Sequence, residues 1–300
     1  MDGWSAEQLE AFERDGFVVV EEGFIDDNTV AALRERFEPL FAGRYETGIR
    51  PDEVNWLAGR DPEDRTRQIC NAWKADPIIA AQILSERTGR LAAELMRWDG
   101  VRLLQDNVIW KPPGTKSLGM HQDGSYLDYL VPPAMITCWI ALDDTSAEAG
   151  TITYAAGSYR WPRSPENRGE FHAPADWLAP VERARPPDEE LRLEPLVVRA
   201  GGAAFHHFNT FHGSGPNTGS VHRRAVISHL VPADTRFHPE HVDPVYSRYR
   251  RVGDTALDES FFPIVWTRDG SRSAWLTHDH NEEVQTRQGA RSRTARSALR

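Results

Sequence analysis

The stretch VRLLQDNVIWKPPG (residues 101–114) marks a change of character in the chain. From 101 to 110 apolar and polar residues alternate loosely, as in a strand whose two faces meet different surroundings. Lys111-Pro112-Pro113-Gly114 then breaks the pattern with a turn. Further apolar stretches follow at 134–142, 151–154, 196–198, 203–208 and 223–230, separated by Gly and Pro. Short strands with no helices between them predict an antiparallel sandwich or barrel.

Upstream of 101 the spacing is mostly helical. Ser5-Ala6-Glu7-Gln8 reads as a capping box, in which Ser and Gln satisfy each other's free backbone donors. The helix is expected to reach Asp15, with Gly16 just past its end and a short buried strand over 17–20. A second helix is expected from Asp27-Asn28, with Val30, Leu33, Phe37 and Phe41 on one face and Gly43 as its stop. Residues 44–75 read as loop. Asp76-Pro77 opens helical territory reaching Trp98, with Gly89 as a break. The expectation is a mainly β, α+β chain: helical over 1–100 and β over 101–270, in one domain of 1–283.

Two stretches stand apart. Residues 162–195 carry seven prolines and read as an insertion that is neither a central strand nor a helix, in the position of a lid. Residues 284–300 hold five arginines and no acid, and read as a basic, disordered tail.

Composition narrows the function. The chain has 300 residues, 35 Lys and Arg against 45 Asp and Glu, and a net charge of −10. Without the five tail arginines the rest stands at −15. So acidic a body argues against binding a phosphate backbone. No run of 18 apolar residues is present, and the N-terminus lacks the apolar core of a secretory signal. Cys70 and Cys138 are too few and too far apart for a disulfide framework. A cytoplasmic enzyme, monomer or homodimer, acting on a small molecule without nucleic acid or membrane, is the expectation. Cys70 and Cys138 are expected as inert core thiols.

The chemistry concentrates in Met120-His121-Gln122-Asp123-Gly124. Residues two apart at a strand end point the same way, so His121 and Asp123 can grip one metal. Phe211-His212-Gly213-Ser214 supplies a second His. Two His and one carboxylate form the facial triad of non-haem Fe(II) oxygenases, which leaves three positions open. If the co-substrate is 2-oxoglutarate, its remote carboxylate needs a buried Arg, whose fork binds in two places. Arg223 and Arg224 follow on a strand, and alternation turns one of them inward; the pattern does not choose. His206 and His207 are expected one in and one out. Gln105 and Asn107 share a face, and Lys111 ends the same strand.

In this order the motifs Lys111-Pro112-Pro113-Gly114, His121-Gln122-Asp123, Cys138-Trp139-Ile140-Ala141-Leu142-Asp143-Asp144, Glu148-Ala149-Gly150, Ala156-Gly157-Ser158, His212-Gly213-Ser214-Gly215-Pro216-Asn217 and Arg223 resemble the phytanoyl-CoA hydroxylase family of Fe(II)/2-oxoglutarate dioxygenases, over about 10–270. The resemblance implies a double-stranded β-helix, or jelly roll, with iron held by His121, Asp123 and His212. It implies Arg223, eleven positions past the distal His, on the 2-oxoglutarate carboxylate, with Trp139 and Ser214 beside it. Lys111 and Gln105 are assigned to the same co-substrate. One departure is Tyr159, where the family often has His.

The implied reaction couples O2 and 2-oxoglutarate to oxidation of a substrate C–H bond, releasing succinate and CO2, with hydroxylation the default. Asp123 argues against a halogenase, which replaces that carboxylate. Asn107 is expected to meet the substrate with its amide, and Phe171, His172 and Trp177, with Trp56 and Trp73 from the helical side, are expected to form an aromatic substrate wall. That wall suits a small metabolite of specialised biosynthesis. An acyl-CoA hydroxylase and a non-catalytic jelly-roll binding module are the alternatives.

Overall fold

The computed structural model describes residues 3–165 and 171–278. Its helices are α1 (Ala6–Asp15), α2 (Asp27–Arg34), α3 (Phe37–Phe41), α4 (Pro77–Ile83), α5 (Glu86–Met96), α6 (Ala179–Ala184) and α7 (Ala274–His278). Its strands are β1 (Phe17–Val20), β2 (Glu53–Val54), β3 (Arg67–Cys70), β4 (Gly100–Lys111), β5 (Leu118–His121), β6 (Leu130–Val131) and β7 (Ile136–Ala141). They continue with β8 (Ile152–Ala155), β9 (Leu193–Pro195), β10 (Ala203–His207), β11 (His212–Ser214), β12 (Arg223–Pro232), β13 (Arg236–Phe237) and β14 (Ile264–Thr267).

Two antiparallel sheets face each other. The larger runs β1-β10-β7-β12-β4-β3-β2, with β14 also paired to β4; the smaller runs β5-β11-β8-β9. Period-two alternation gives the large sheet two apolar faces. Val108, Trp110, Cys138, Ile140, Phe205 and Val226 pack outward against Leu33, Phe37, Ile79 and Leu91 of the helices. Ile109, Trp139, Ala141, Ala204, Ala225 and Ile227 pack inward against Leu118, Ile152 and Tyr154 of the small sheet. The helices therefore cover one face of a jelly-roll sandwich, and the site lies between its sheets. A third cluster, built on Tyr129, Phe237, Tyr246 and Phe262, closes one end.

Local signals carry through at the N-terminus. Ser5 and Gln8 exchange the expected capping bonds, and Gly16 takes the left-handed conformation at φ 80°. The expected helix from Asp27 to Gly43 is instead split into α2 and α3. Pro39 supplies no N–H to the Glu35 carbonyl and crowds it, which interrupts the ladder. The break between α4 and α5 falls at Ser85, whose hydroxyl caps α5, while Gly89 lies inside α5. Residues 44–75 are not simply loop: β3 pairs with β4, with Cys70 opposite Asn107. The strand expected at 196–198 is β9 instead, and Leu196 and Val198 are tied by backbone bonds to the Thr145 hydroxyl.

The insertion at 162–195 does contain a helix. α6 accommodates Pro180 in its first turn, where no N–H partner is needed. The stretch after residue 170 runs along the outer edge of β5, accepting from Gly119 N at the Phe171 carbonyl and from Met120 N at the Trp177 carbonyl. Residues 166–170 of this insertion and the basic tail at 284–300 lie outside the described residues.

Candidate active site

The small sheet brings the two distant histidines together. β11 pairs with β5 so that His212 lies opposite His121, although 91 positions separate them. Gly213 allows this approach: a Cβ there would come within 2.9 Å of Met120 N and 3.0 Å of the Leu118 carbonyl. Asp123 follows in the single turn Asp123–Tyr126 and reaches back. One ligand atom from each of His121, Asp123 and His212 lies within 4.8 Å of the others. Asp123 Oδ1 is 3.5 Å from His121 Nε2 and 3.6 Å from His212 Nε2.

Each His is oriented from behind. His121 Nδ1 lies 3.0 Å from the Gly119 carbonyl and His212 Nδ1 3.0 Å from the Thr210 carbonyl. A carbonyl accepts only, so both Nδ1 atoms carry the proton and both Nε2 lone pairs face Asp123 Oδ1. Burial drives the His212 pKa well below its usual value, helped by His121, and so favours the neutral, ligating form. Burial alone would raise Asp123, but His212, His121 and His206 hold it well below the usual carboxylate range. Two imidazoles and one carboxylate suit a divalent first-row metal with open positions.

Asp123 Oδ2 is occupied separately. Thr137 donates to it at 2.9 Å, and His206 Nε2 lies 3.4 Å away. The Thr137 bond ends a chain that runs one way. Tyr246 donates to Gln105, Gln105 to Asn107 Oδ1 at 2.8 Å, and Asn107 Nδ2 meets His229 Nε2 at 2.9 Å. His229 Nδ1 in turn meets Thr137 Oγ1 at 2.9 Å. Because the amide can only donate to Nε2, His229 is protonated on Nδ1, and Thr137 is free to donate to Asp123. Each link thus points its positive end at the carboxylate. Thr137→Val removes the last link and is expected to weaken Fe(II) binding by roughly 10- to 100-fold. Thr137→Ser is expected to stay near the parent value. Metal titration of the three proteins decides, and equal affinities for all three would show the chain to be inert.

A cavity of about 470 Å³ runs past the triad. One half ends at Arg223 and is lined by Ile109, Leu118, Trp139, Ile152, Ser214 and Ile227. Arg223 is buried, and its Nε and Nη2 donate to the Gly150 carbonyl at 3.1 and 2.9 Å. Its Nη1 is buried without a partner. Burial pulls the Arg223 pKa down to about 9, which leaves it charged at neutral pH. A buried, charged guanidinium with an open donor fits the remote carboxylate of 2-oxoglutarate. Arg224 faces the other way, bidentate on Asp143 at 2.7 and 3.0 Å. Lys111 is fully buried behind this half: its Nζ donates to Ser214 Oγ at 2.9 Å and to the Gly215 carbonyl, and burial lowers its pKa well below normal. It touches Ser214 rather than lining the cavity itself.

The other half is built from β2, β3, β4 and the C-terminal cluster. It is lined by Glu53, Asn55, Gln68, Cys70, Gln105 and Asn107, with Tyr126, Tyr129, Asp243 and Tyr246 across from them. Gln105 therefore stands on this side, away from Arg223. Phe171 and His172 reach the cavity, with the Phe171 ring 4.8 Å from that of His121. The rest of the expected aromatic wall lies elsewhere. Trp73 stacks on Trp275 at 5.9 Å, Trp56 packs on Phe41 and beneath Arg67, and Trp177 joins Trp161, Val181 and Phe211. None of these three rings lines the cavity. Cys70 also departs from expectation: it lines the cavity, with burial raising its pKa and keeping the thiol protonated.

Thr137 and His229 join the site without being expected from the sequence, yet the sequence carries a signal for them. His229 lies six positions past Arg223, on the same strand face, and Thr137 two before Trp139. His206 points inward, 1% exposed, and meets the Tyr154 hydroxyl at 3.1 Å, whereas His207 stacks on Phe208.

Known proteins share the family and the fold of this chain. The family model "Phytanoyl-CoA dioxygenase (PhyH)" matches residues 12–225. A probable alpha-ketoglutarate-dependent hypophosphite dioxygenase of Stutzerimonas stutzeri is 26% identical over 76% of this chain and 79% of that protein. The crystal structure of SnoK, a non-heme alpha-ketoglutarate-dependent carbocyclase of nogalamycin biosynthesis, superposes with a TM-score of 0.66 at 24% identity, over 87% of this chain and 96% of its own. The epimerase SnoN, crystallised with Fe3+, alpha-ketoglutarate and nogalamycin RO, gives 0.66 at 21%, over 86% and 97%. Among the described residues no helix is long and apolar enough to cross a membrane. The chain belongs to the phytanoyl-CoA dioxygenase (PhyH) family and is an iron- and 2-oxoglutarate-dependent dioxygenase.

Proposed function

We propose that this protein oxidises an unactivated C–H bond of a small organic metabolite in a biosynthetic pathway, with His121, Asp123 and His212 holding iron and Arg223 holding 2-oxoglutarate. The observation that carries the reading is the single cavity that joins a buried, open-handed guanidinium to the two-His, one-carboxylate cluster and then to a separate polar chamber. Its volume of about 470 Å³ suits a co-substrate and a small metabolite.

Iron, 2-oxoglutarate and O2 supply the oxidising chemistry, releasing succinate and CO2. The protein's own residues bind and orient. Arg223 neutralises the remote carboxylate, while Trp139, Ile109, Leu118, Ile152 and Ile227 keep that end dry, which strengthens the ion pair. The Gly119 and Thr210 carbonyls hold the imidazoles in the ligating tautomer. Thr137 and His206 fix Asp123 through Oδ2 and leave Oδ1 toward the histidines. The polar chamber then positions the substrate next to that cluster.

Succinate formation with Fe(II), 2-oxoglutarate and oxygen is the test. Slow release without substrate, stimulated severalfold by the right metabolite, is expected. No 2-oxoglutarate consumption under any condition would support a non-catalytic binding module instead, and stimulation by long-chain acyl-CoA alone would make the protein an acyl-CoA hydroxylase.

A further inference from the structure

The hydrogen-bonded chain that ends on Asp123 is also a wall of the cavity. Tyr246, Gln105, Asn107, His229, Thr137 and Asp123 all line it, from the polar chamber to the metal-site carboxylate. In that order the links measure 2.5, 2.8, 2.9, 2.9 and 2.9 Å. Sheet register builds the chain. His229 of β12 lies opposite Gln105 of β4 on one side and opposite Thr137 of β7 on the other, so three adjacent strands present their polar groups in line. Tyr246, Asn107, His229 and Thr137 are each more than nine-tenths buried, so water competes little for these bonds and each polarises the next. His229 Nδ1 is 3.9 Å from Asp123 Oδ2, too far for a hydrogen bond, and therefore acts on the carboxylate through Thr137.

Such a chain has only two directions. Two amides, an imidazole and two hydroxyls each have a donor side and an acceptor side, so turning one link over turns them all. In the observed direction Thr137 donates to Asp123 Oδ2. In the reverse direction both amides are rotated by half a turn and His229 carries its proton on Nε2. Thr137 then spends its proton on His229 Nδ1 and sets an oxygen lone pair against the carboxylate. The charge of Asp123 favours the observed direction from one end, and the Tyr246 hydroxyl, donating to Gln105 Oε1, favours it from the other.

We propose that Tyr246, Gln105, Asn107 and His229 are positioning residues for the metal. They hold Thr137 in its donating orientation and so set, from the substrate chamber, how firmly Asp123 grips iron. The proposal rests on the iron reading of the His121, Asp123 and His212 cluster. It goes beyond the contact of Thr137 itself, because it gives side chains as many as five links from Asp123 a share in metal affinity. The coupling is reciprocal: a group in the chamber that turns Asn107 over loosens the metal, and the metal disfavours that group by the same factor.

The test is a set of double-mutant cycles on the full-length protein, read as Fe(II) affinity under anaerobic conditions. Asn107→Leu is expected to weaken Fe(II) binding by about 10-fold, and Gln105→Met, one link further out, by about threefold. Thr137→Val cuts the chain from the carboxylate. In that background each of the two changes is expected to move the affinity by less than about twofold, whereas a packing defect adds in full. A spectroscopic signature accompanies the affinity: the visible charge-transfer band of the anaerobic Fe(II)–2-oxoglutarate complex should shift in Asn107→Leu and in Thr137→Val alike. Thermal unfolding of the metal-free proteins checks the fold. Gln105→Met and Tyr246→Phe keep the side-chain shape, so the cycle can be completed if Asn107→Leu does not fold. Unchanged Fe(II) affinity in the single variants, losses that persist undiminished beside Thr137→Val, or a band that stays in place would each overturn the proposal. The titration of the parent protein comes first: absence of Fe(II) binding there sinks the iron reading, whereas binding followed by additive cycles sinks the chain alone.

Discussion

His212→Ala is expected to lose Fe(II) binding and succinate formation together. The residue contributes one of three ligand atoms that lie within 4.8 Å of one another. Removing an outer partner of a metal ligand costs roughly 10- to 100-fold in affinity, and removing a ligand costs more. The loss is separable from misfolding by thermal unfolding with and without metal. A ligand at 100 times its Kd stabilises the native state by about 2.7 kcal/mol, so Fe(II) raises the Tm of the parent protein. The His212→Ala protein should unfold cooperatively and show no such rise. Retention of stoichiometric iron and of turnover would overturn the ligand assignment.

The second large effect concerns the two adjacent arginines. Arg223→Ala is expected to lose about 2–5 kcal/mol of 2-oxoglutarate affinity, the cost of removing a charge-assisted contact to a buried carboxylate. Arg224→Ala, which breaks a partly exposed pair with Asp143, is expected to leave that affinity nearly unchanged. Stability should move the other way. Arg223 is a buried cation whose hydrogen bonds go to a carbonyl and whose Nη1 has no partner. Its desolvation is therefore poorly offset in the free protein. Arg223→Met should unfold no more easily than the parent, and more stably if packing is kept, while still failing to bind 2-oxoglutarate. A larger affinity loss in the Arg224 variant would reverse the assignment.

The parts of this molecule legible in the sequence are those set by local spacing. Ser5 and Gln8 announce α1 because capping is decided within four residues. Residues 101–111 announce β4 because alternation is a local property. The helix break at Ser85 and the split before Phe37 are less visible, because a hydroxyl cap and a proline compete with an uninterrupted apolar spacing. β3 is hidden for a different reason: Arg67-Gln68-Ile69-Cys70 has no strong strand pattern, and its conformation is fixed by pairing with β4.

The same division holds in the site. Residue type and motif single out His121, Asp123 and His212. Choosing Arg223 over Arg224 took the family motif, which alternation alone could not supply. Trp73 and Trp177 fall outside the cavity lining, because aromatic composition says nothing about which wall a ring faces. Glu53, Asp243 and Tyr246 reach the cavity from opposite ends of the chain, through tertiary packing that no short window contains.

The pairing of His121 with His212 across β5 and β11 has a consequence for how the enzyme acquires its metal. In a nascent chain only His121 and Asp123 are neighbours, and two flexible ligands hold a divalent ion weakly. The third arrives only after the stretch through residue 214 has been synthesised and the small sheet has closed over a loop of about 90 residues, an entropically slow, long-range step. With His121, Asp123 and His212 as the proposed ligands, iron capture would be coupled to the completed sandwich rather than to translation. On that ligand set, a chain that stalls before closure is expected to hold iron only weakly.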